Sequence, residues 1–534
     1  MFNDRNNLVI ISIFITFFIL CLFIVDDYGV SQDEYANRIH GFVTLRYLGE
    51  LMLPEFTNSV LGNKNIQLLN TDYVGKSYGS YYSAFHGILE VIFNVKDKYN
   101  QFLLRHYSHF IIYFISLIFF YKTLLVITNN KYISLIGFLF LALTPRIFAN
   151  SFYNNIDIFF LSIVIISSYF FLKFYLNQNY KNLLLCSLFT ALIVDHRIAG
   201  IYFLFQNSLF IFLLAQNENK NYRKKIYFIC LYFLSSSIFI YLFWPFLWTN
   251  PINNFFMAFQ EMSKWDYIIQ SFFNGKFYLS SSLPGHYIPQ WIAITTPLFF
   301  IIFFFIGLFY ILKNSLRNSD NLTKPLILNL YFFFVILGHL VVIFVFQPNL
   351  YNGWRHFYYL YPSIVILAIY GLHNLIIKNN KLKSFVFFIS IINILYLLNW
   401  NFNNHPNQQV FFNSFADKDF NKKFDMDYWA LSNKQQLHKI LEIDKRKKIE
   451  IYNLSENKLF YSLFSLKEDE RNRFNIASSI DKADYVITNY YIFDEKQKNE
   501  LSLLDKFHRY NDITVDDVVI SSLYKNQKNY NISK

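Results

Sequence analysis

Residues 8–25, Leu-Val-Ile-Ile-Ser-Ile-Phe-Ile-Thr-Phe-Phe-Ile-Leu-Cys-Leu-Phe-Ile-Val, run for eighteen positions without a charge. A helix of about 20 residues rising 1.5 Å each covers the ~30 Å hydrocarbon core of a bilayer, so this stretch reads as a membrane span. The Asp26, Asp27 and Tyr28 that follow lack the small residues of a signal-peptide cleavage site, and the span is read as retained. Ten more apolar runs lie at 110–127, 132–144, 156–176, 183–194, 198–215, 226–243, 292–312, 326–346, 357–377 and 384–399. Several are short, and their helices must tilt or extend into polar neighbours. The fold class is therefore mainly α: a polytopic membrane helical bundle of about eleven spans.

Composition agrees. Of the 534 residues, 54% are hydrophobic and 16% charged, against about 25% charged in soluble proteins. A soluble enzyme and a disordered chain are both excluded. The net charge of +12 raises nucleic acid as a partner until its placement is examined. With the N-terminus in the cytoplasm, the inner loops hold 15 Lys and Arg against 3 acids. The outer loops hold 12 against 13, and residues 401–534 hold 21 against 20. The excess is thus a positive-inside signal, and nucleic acid drops out. An odd number of spans then places the C-terminus outside. Cys21, Cys186 and Cys230 all sit in apolar runs, which argues against a disulfide framework.

Residues 1–400 make up the membrane domain, with a long first outer loop at 26–105 and a second at 244–291. In the first, 34–48 and 80–93 carry apolar residues on one face and read as helices lying in the interface. Residues 401–534 read as a small soluble α/β domain on the outer side. A helix is expected at 432–444, with a capping box of Ser432 and Gln435, and strands at 448–454, 483–490 and 513–523. There is no internal repeat, glycine-rich phosphate loop, zinc-ligand spacing or nucleophile elbow.

The inner loops are plain Asn, Lys and Arg linkers, whereas short outer loops are dense in particular polar residues. They read Thr-Pro-Arg-Ile-Phe-Ala-Asn-Ser-Phe-Tyr-Asn-Asn-Ile-Asp at 144–157, Asp-His-Arg at 195–197 and Tyr-Asn-Gly-Trp-Arg-His at 351–356. Each carries one arginine against the positive-inside bias. Arg146, Arg197 and Arg355, with His196 and His356 beside two of them, are candidates for an anionic ligand. The alternative is ion pairing with nearby acids such as Asp157 and Asp195. Lys76 is a further cationic candidate. Asp33 and Glu34 open an amphipathic segment; adjacent helical residues point about 100° apart, so at most one serves as a base. They can equally be acids at a helix start, favoured by its dipole. Asp157 enters the membrane after an amide-rich loop, a costly placement that suggests function.

These stretches resemble the GT-C membrane glycosyltransferases, family 39 type, the group of the protein O-mannosyltransferases and aminoarabinose transferases. The resemblance rests on Ser-Gln-Asp-Glu at 31–34, the 144–157 stretch, Asp-His-Arg-Ile-Ala-Gly at 195–200, Leu-Pro-Gly-His-Tyr-Ile-Pro-Gln-Trp at 283–291, Trp-Arg-His-Phe at 354–357 and Asp-Tyr-Trp-Ala-Leu-Ser at 427–432. It implies a polyprenyl-phosphate sugar donor in the membrane lipid and inverting transfer to a glycan, lipid or protein acceptor. By resemblance, Asp33 is the base with Glu34 beside it, and Asp157 orients the acceptor or a metal. Lys76, Arg146, His196, Arg197, Arg355 and His356 receive the phosphate, while His286, Tyr287 and Trp291 line the donor groove or form an aromatic belt. No cofactor is implied with certainty; a divalent cation stays possible. The expected location is the plasma or inner membrane. The competing class, a lipid-linked sugar or ion transporter, predicts charges at mid-span and repeated halves, and neither is visible.

Overall fold

The computed structural model describes residues 5–61, 75–213, 222–263, 268–317, 323–492 and 495–527. Each of the eleven apolar runs contains a helix within the described residues. Among the described residues eight helices are long and apolar enough to cross a membrane: Asn7–Asp27, Lys98–Thr128, Asp157–Asn177, Tyr222–Phe243, Leu298–Arg317, Pro325–Phe346, Arg355–Lys378 and Lys383–Asn403. The other three fall short. Tyr180–His196 has 17 residues and Ile201–Leu213 has 13. The third, Lys131–Ala142, is broken from Pro145–Tyr153 by a 65° bend.

Proline accounts for two departures from the hydropathy pattern. A residue before proline is pushed out of the helical region. Thr144 is extended (φ −60°, ψ 116°) ahead of Pro145, which begins a second short helix. The run 292–312 is likewise not one helix: Tyr287–Thr295 ends at extended Thr296 (φ −94°, ψ 133°), and Leu298–Arg317 restarts after Pro297. At the other end of the bundle the hairpins are tight because amides cap both sides. Asn129 and Gln178 adopt left-handed C-caps. Asn130 and Asn179 then accept backbone N–H bonds from the next helix. Asparagines read as plain linkers therefore carry helix ends.

Asp157–Asn177 and Arg355–Lys378 are the innermost helices, with 83% and 78% of their apolar windows buried against 28% for Leu298–Arg317. The latter crosses Tyr361–Lys378 where glycines meet. A Cβ on Gly307 would collide with the Leu367 carbonyl, and one on Gly371 with the Phe303 carbonyl. Small residues at such crossings let backbones approach in the absence of a hydrophobic drive between lipid-solvated helices.

Beyond Asn403 lies a mixed sheet in the order β4-β3-β5-β7-β6, with β3 Ile449–Asn453, β4 Phe474–Ile476, β5 Tyr485–Thr488, β6 Phe507–Val515 and β7 Val518–Asn526. The hairpin of β1 Gln270–Phe273 and β2 Lys276–Leu279 stands apart in the loop between Phe243 and Tyr287. β3 is parallel to β4 and β5, and β7 is antiparallel to β5 and β6. Helix Asn433–Ile443 packs Leu437, Ile440 and Leu441 on Ile449, Ile451 and Leu523. Two local readings need correction. Residues 513–523 are the middle of the β6–β7 hairpin, turning at Asp516 and Asp517, both with positive φ. Ser432 does not cap its helix; its N–H donates to Asp427 Oδ2 instead.

The sheet region is tied to the bundle at several points. Trp400 Nε1 donates to Asp516 Oδ1 (2.9 Å) and Tyr28 to Gln408 Oε1 (3.0 Å). Lys434 reaches Asp26, and Phe464 stacks on Phe102 and Tyr35. Because the Gly307 crossing leaves no room, Gly307→Leu should cost about 1–3 kcal/mol through overpacking. It should lower the thermal midpoint of the detergent-purified protein, whereas Gly285→Ala, with open space around it, should leave it unchanged.

Candidate active site

The segment after the first span is held by buried polar contacts. Ser31 and Glu34 form a capping box at the start of helix Gln32–Met52: Ser31 N–H donates to Glu34 Oε2 (2.7 Å) and Glu34 N–H to Ser31 Oγ (3.3 Å). The second Glu34 oxygen meets His106 Nε2 at 2.7 Å. One turn on, Arg38 grips Glu90 through three bonds of 2.7–3.1 Å, and Arg105 Nε donates to the same carboxylate at 2.8 Å. The loop helix is thereby fixed to Tyr81–Ile92 and Lys98–Thr128, and its register turns Asp33 the other way.

Asp33 pairs with Arg355 and through it joins Asp157 and Arg197. Arg355 Nη1 lies 3.2 Å from Asp33 Oδ2 and 3.1 Å from Asp157 Oδ2. Arg197 pairs with Asp157 Oδ1. Asp157 begins its helix, where the dipole favours a negative charge, and Asn154 holds it by donating Nδ2–H to Oδ2 (2.9 Å) and accepting the Asp157 N–H (2.9 Å). The Arg355 guanidinium is flanked by Tyr351 at 5.1 Å and Trp429 at 4.9 Å, both within cation–π range. Arg355 Nε and Arg197 Nε are buried and have no hydrogen-bond partner among the described residues.

Strained backbone surrounds this cluster. Asn352 (φ 57°) and Gly353 (φ 71°) are left-handed just ahead of Arg355, and Ala430 (φ 55°) follows Trp429. Such non-glycine residues cost on the order of 1–3 kcal/mol and persist where surroundings over-determine them. The first turn is held by Gly353 N–H to Tyr287 Oη (3.0 Å), by Tyr491 Oη–H to Asn352 Oδ1 (3.0 Å) and by Trp354 Nε1–H to Thr295 Oγ1 (2.8 Å). The second is held by Asp427, whose two oxygens accept from Leu431 N and Ser432 N at 3.0 Å each.

Of the residues singled out from sequence, Asp33, Asp157, Arg197 and Arg355 come together. His356 follows Arg355 with its ring against Tyr351. Glu34 faces away, engaged by its cap and His106. Arg146 is buried elsewhere: its Nε donates to the Phe411 carbonyl (3.0 Å), and its guanidinium lies over Trp291 and Phe412. His196 Nε2 bonds the Ile156 carbonyl at 2.9 Å. Lys76 is half-buried in the segment whose Gly79 packs on the Asp195 backbone. Tyr287 and Trp291 are buried behind the Arg355 loop, and only His286 is exposed. Sequence reasoning did not single out Tyr351, Asn154 and Trp429. All three lie inside stretches already quoted, as an aromatic or amide within a few residues of a charge.

The Asp33 carboxyl is 32% exposed at its surface yet densely surrounded. Lost hydration pushes its pKa up, Arg355 pulls it down, and Asp157 pushes it up again; the result is raised above the ordinary aspartate value. Among the described residues no group of three or more His, Cys, Asp and Glu is placed to hold a metal ion. Asp33 and Asp157 are bridged by a guanidinium at the position a shared cation would take, so this donor set does not fit a divalent ion.

Residues 88–248 match the family described as dolichyl-phosphate-mannose-protein mannosyltransferase. The chain is similar to the GT-C membrane glycosyltransferases, as the quoted stretches suggested, and with its eight long apolar helices it is an integral membrane protein. No curated protein matches it by sequence. Among solved structures it is similar to apo ArnT from Cupriavidus metallidurans (10% identity, 96% of this chain and 97% of that one, TM-score 0.47). ArnT bound to undecaprenyl phosphate aligns with TM-score 0.45 at 10% identity, over 97% and 98% of the two chains. The oligosaccharyltransferase AglB from Archaeoglobus fulgidus, in complex with an inhibitory peptide and a dolichol-phosphate, aligns at 10% identity over 96% of this chain and 74% of that one, TM-score 0.45.

Asp157→Ala would leave two guanidiniums facing one carboxylate, and removing one partner of a buried pair costs about 3–5 kcal/mol. The thermal midpoint should fall accordingly; a midpoint equal to that of the wild type would mean the pairing does not hold these helix ends.

Proposed function

We propose that the protein transfers a sugar from a polyprenyl-phosphate donor to an acceptor nucleophile at the outer face of the membrane, with inversion at the anomeric carbon. The observation that carries this reading is the Arg355 guanidinium shared by Asp33 and Asp157, with Arg197 on the far side of Asp157. The family described for residues 88–248 supports a lipid-phosphate sugar donor. In this reading residues 1–400 form the transferase domain and 401–534 an extracytoplasmic domain. The N-terminus lies in the cytoplasm of a plasma or inner membrane.

A lipid phosphate is already a good leaving group and needs its growing charge stabilised more than it needs a proton. Arg355 and Arg197 each bring a buried N–H that has no hydrogen-bond partner among the described residues. As the phosphate takes the Arg355 guanidinium, Asp33 loses its counter-ion and becomes the stronger base. Asp33 then accepts the proton of the acceptor X–H. The acceptor heteroatom bonds to the anomeric carbon, and the carbon–oxygen bond to phosphate breaks with its electron pair leaving on the phosphate. The donor thus unlocks the base.

Asp33→Asn should lower transfer from a polyprenyl-phosphate sugar by on the order of 10²–10⁴-fold, the usual weight of a general base, while binding of polyprenyl phosphate persists. Undiminished transfer in purified membranes would remove Asp33 from the role. The base acts ionised and its pKa is raised, so kcat/KM should fall on acidification with a midpoint above the ~3.9 of an exposed aspartate. A pH–rate profile flat down to that value would contradict the assignment.

A further inference from the structure

A cavity of about 670 Å³ is lined by residues of the C-terminal sheet, of the β1–β2 hairpin and of the segment up to Asp427, two residues before Trp429. Its size falls within the roughly 300–1,000 Å³ of small-molecule sites. Phe272, Tyr490 and Tyr491 contribute rings to the wall, and Asp425, Asn489 and Arg509 contribute polar groups. It adjoins the catalytic cluster through Tyr491, whose hydroxyl bonds Asn352 in the Arg355 loop.

Tyr490 stands in the left-handed region (φ 60°), a conformation unusual for a bulky side chain and one that concentrates at binding sites. Its hydroxyl is anchored on Ser522 Oγ at 2.6 Å. The two cations on the wall are already paired, Arg509 with Asp512 (2.8 Å) and Lys422 with Asp419 (3.2 Å). The cavity therefore offers no surplus cation to a phosphate. Asp425 is buried, and both its oxygens accept from the Phe272 N–H at 3.2 Å. Burial pushes its carboxyl up to about 8, so near neutral pH it is largely protonated and donates as well as accepts. Flat aromatic faces beside groups that both donate and accept suit a ring with apolar C–H faces and hydroxyl edges.

We propose that this cavity binds a neutral saccharide, the glycan portion of the acceptor; the link to the acceptor rests on the transferase reading above. The competing occupant, a basic peptide drawn by the carboxylates, is an outcome of the test.

The full-length protein in nanodiscs would be titrated calorimetrically with tri- and tetrasaccharides of mannose, glucose, galactose and N-acetylglucosamine, and with a lysine-rich peptide. Saturable binding of at least one saccharide is expected. It should weaken at least tenfold in Tyr490→Ala and in Val519→Trp, which fills the cavity, with polyprenyl-phosphate binding and thermal midpoint unchanged. Binding of none of the saccharides, binding indifferent to both variants, or binding of the peptide alone overturns the proposal. Saccharide binding without transfer from any polyprenyl-phosphate sugar would keep the cavity assigned and sink the transferase reading. Transfer without saccharide affinity here would do the reverse.

Discussion

A guanidinium buried at a membrane helix end cannot shed its proton, so the protein must surround it with partners or leave a charge stranded. Arg355 is the place where this constraint bears hardest. Two carboxylates pair with its charge at one end and two aromatic rings take its faces. Those four partners come from separate parts of the chain: Asp33 from the helix that follows the first span, Asp157 from the head of a central helix, Tyr351 from the strained turn and Trp429 from the region after the last span. Satisfying one charge brings all four together.

The rest of the fold delivers these pieces to a common level. Pro145 and Pro297 stop helices that hydropathy alone would have run through, and the short helices they create back the Arg355 loop and the Asn154–Asp157 cap. Glu34 acts at one remove. Its cap and its contact with His106 fix the helix on which Asp33 sits, so the two neighbouring acids divide the work: one holds position and the other faces the cluster.

Much of this was legible in the sequence because the relevant signals are chemical and local. Arginines on the side that disfavours them pointed to Arg355 and Arg197, and an acid where an apolar run begins to Asp157; Asp33 was singled out by the family resemblance. The same signal also pointed to Arg146, which answers instead to the Phe411 carbonyl and the rings of Trp291 and Phe412. A cation in an outer loop looks alike whether it awaits a ligand or packs a core, and only the three-dimensional neighbours separate the cases. Trp429 was hidden for a related reason: its partner is distant in sequence and no periodicity links them. The β6–β7 turn was missed although the paired Asp516 and Asp517 break the alternation there, because apolar residues flank them closely on both sides, while the short β4 offers too few residues for any pattern. Ser432 matched a capping signature, but a carboxylate five residues earlier, Asp427, took its amide.

The dependence of Arg355 on Trp429 also orders events in time. The chain is made from its N-terminus, so Arg355 and both carboxylates emerge well before the residue that covers the second face of the guanidinium. Until residues 427–432 have emerged and docked, the charged cluster is open on that side. Completion of the site therefore waits on the segment that carries Trp429, and a growing chain carries its charges in place before the second ring covers Arg355.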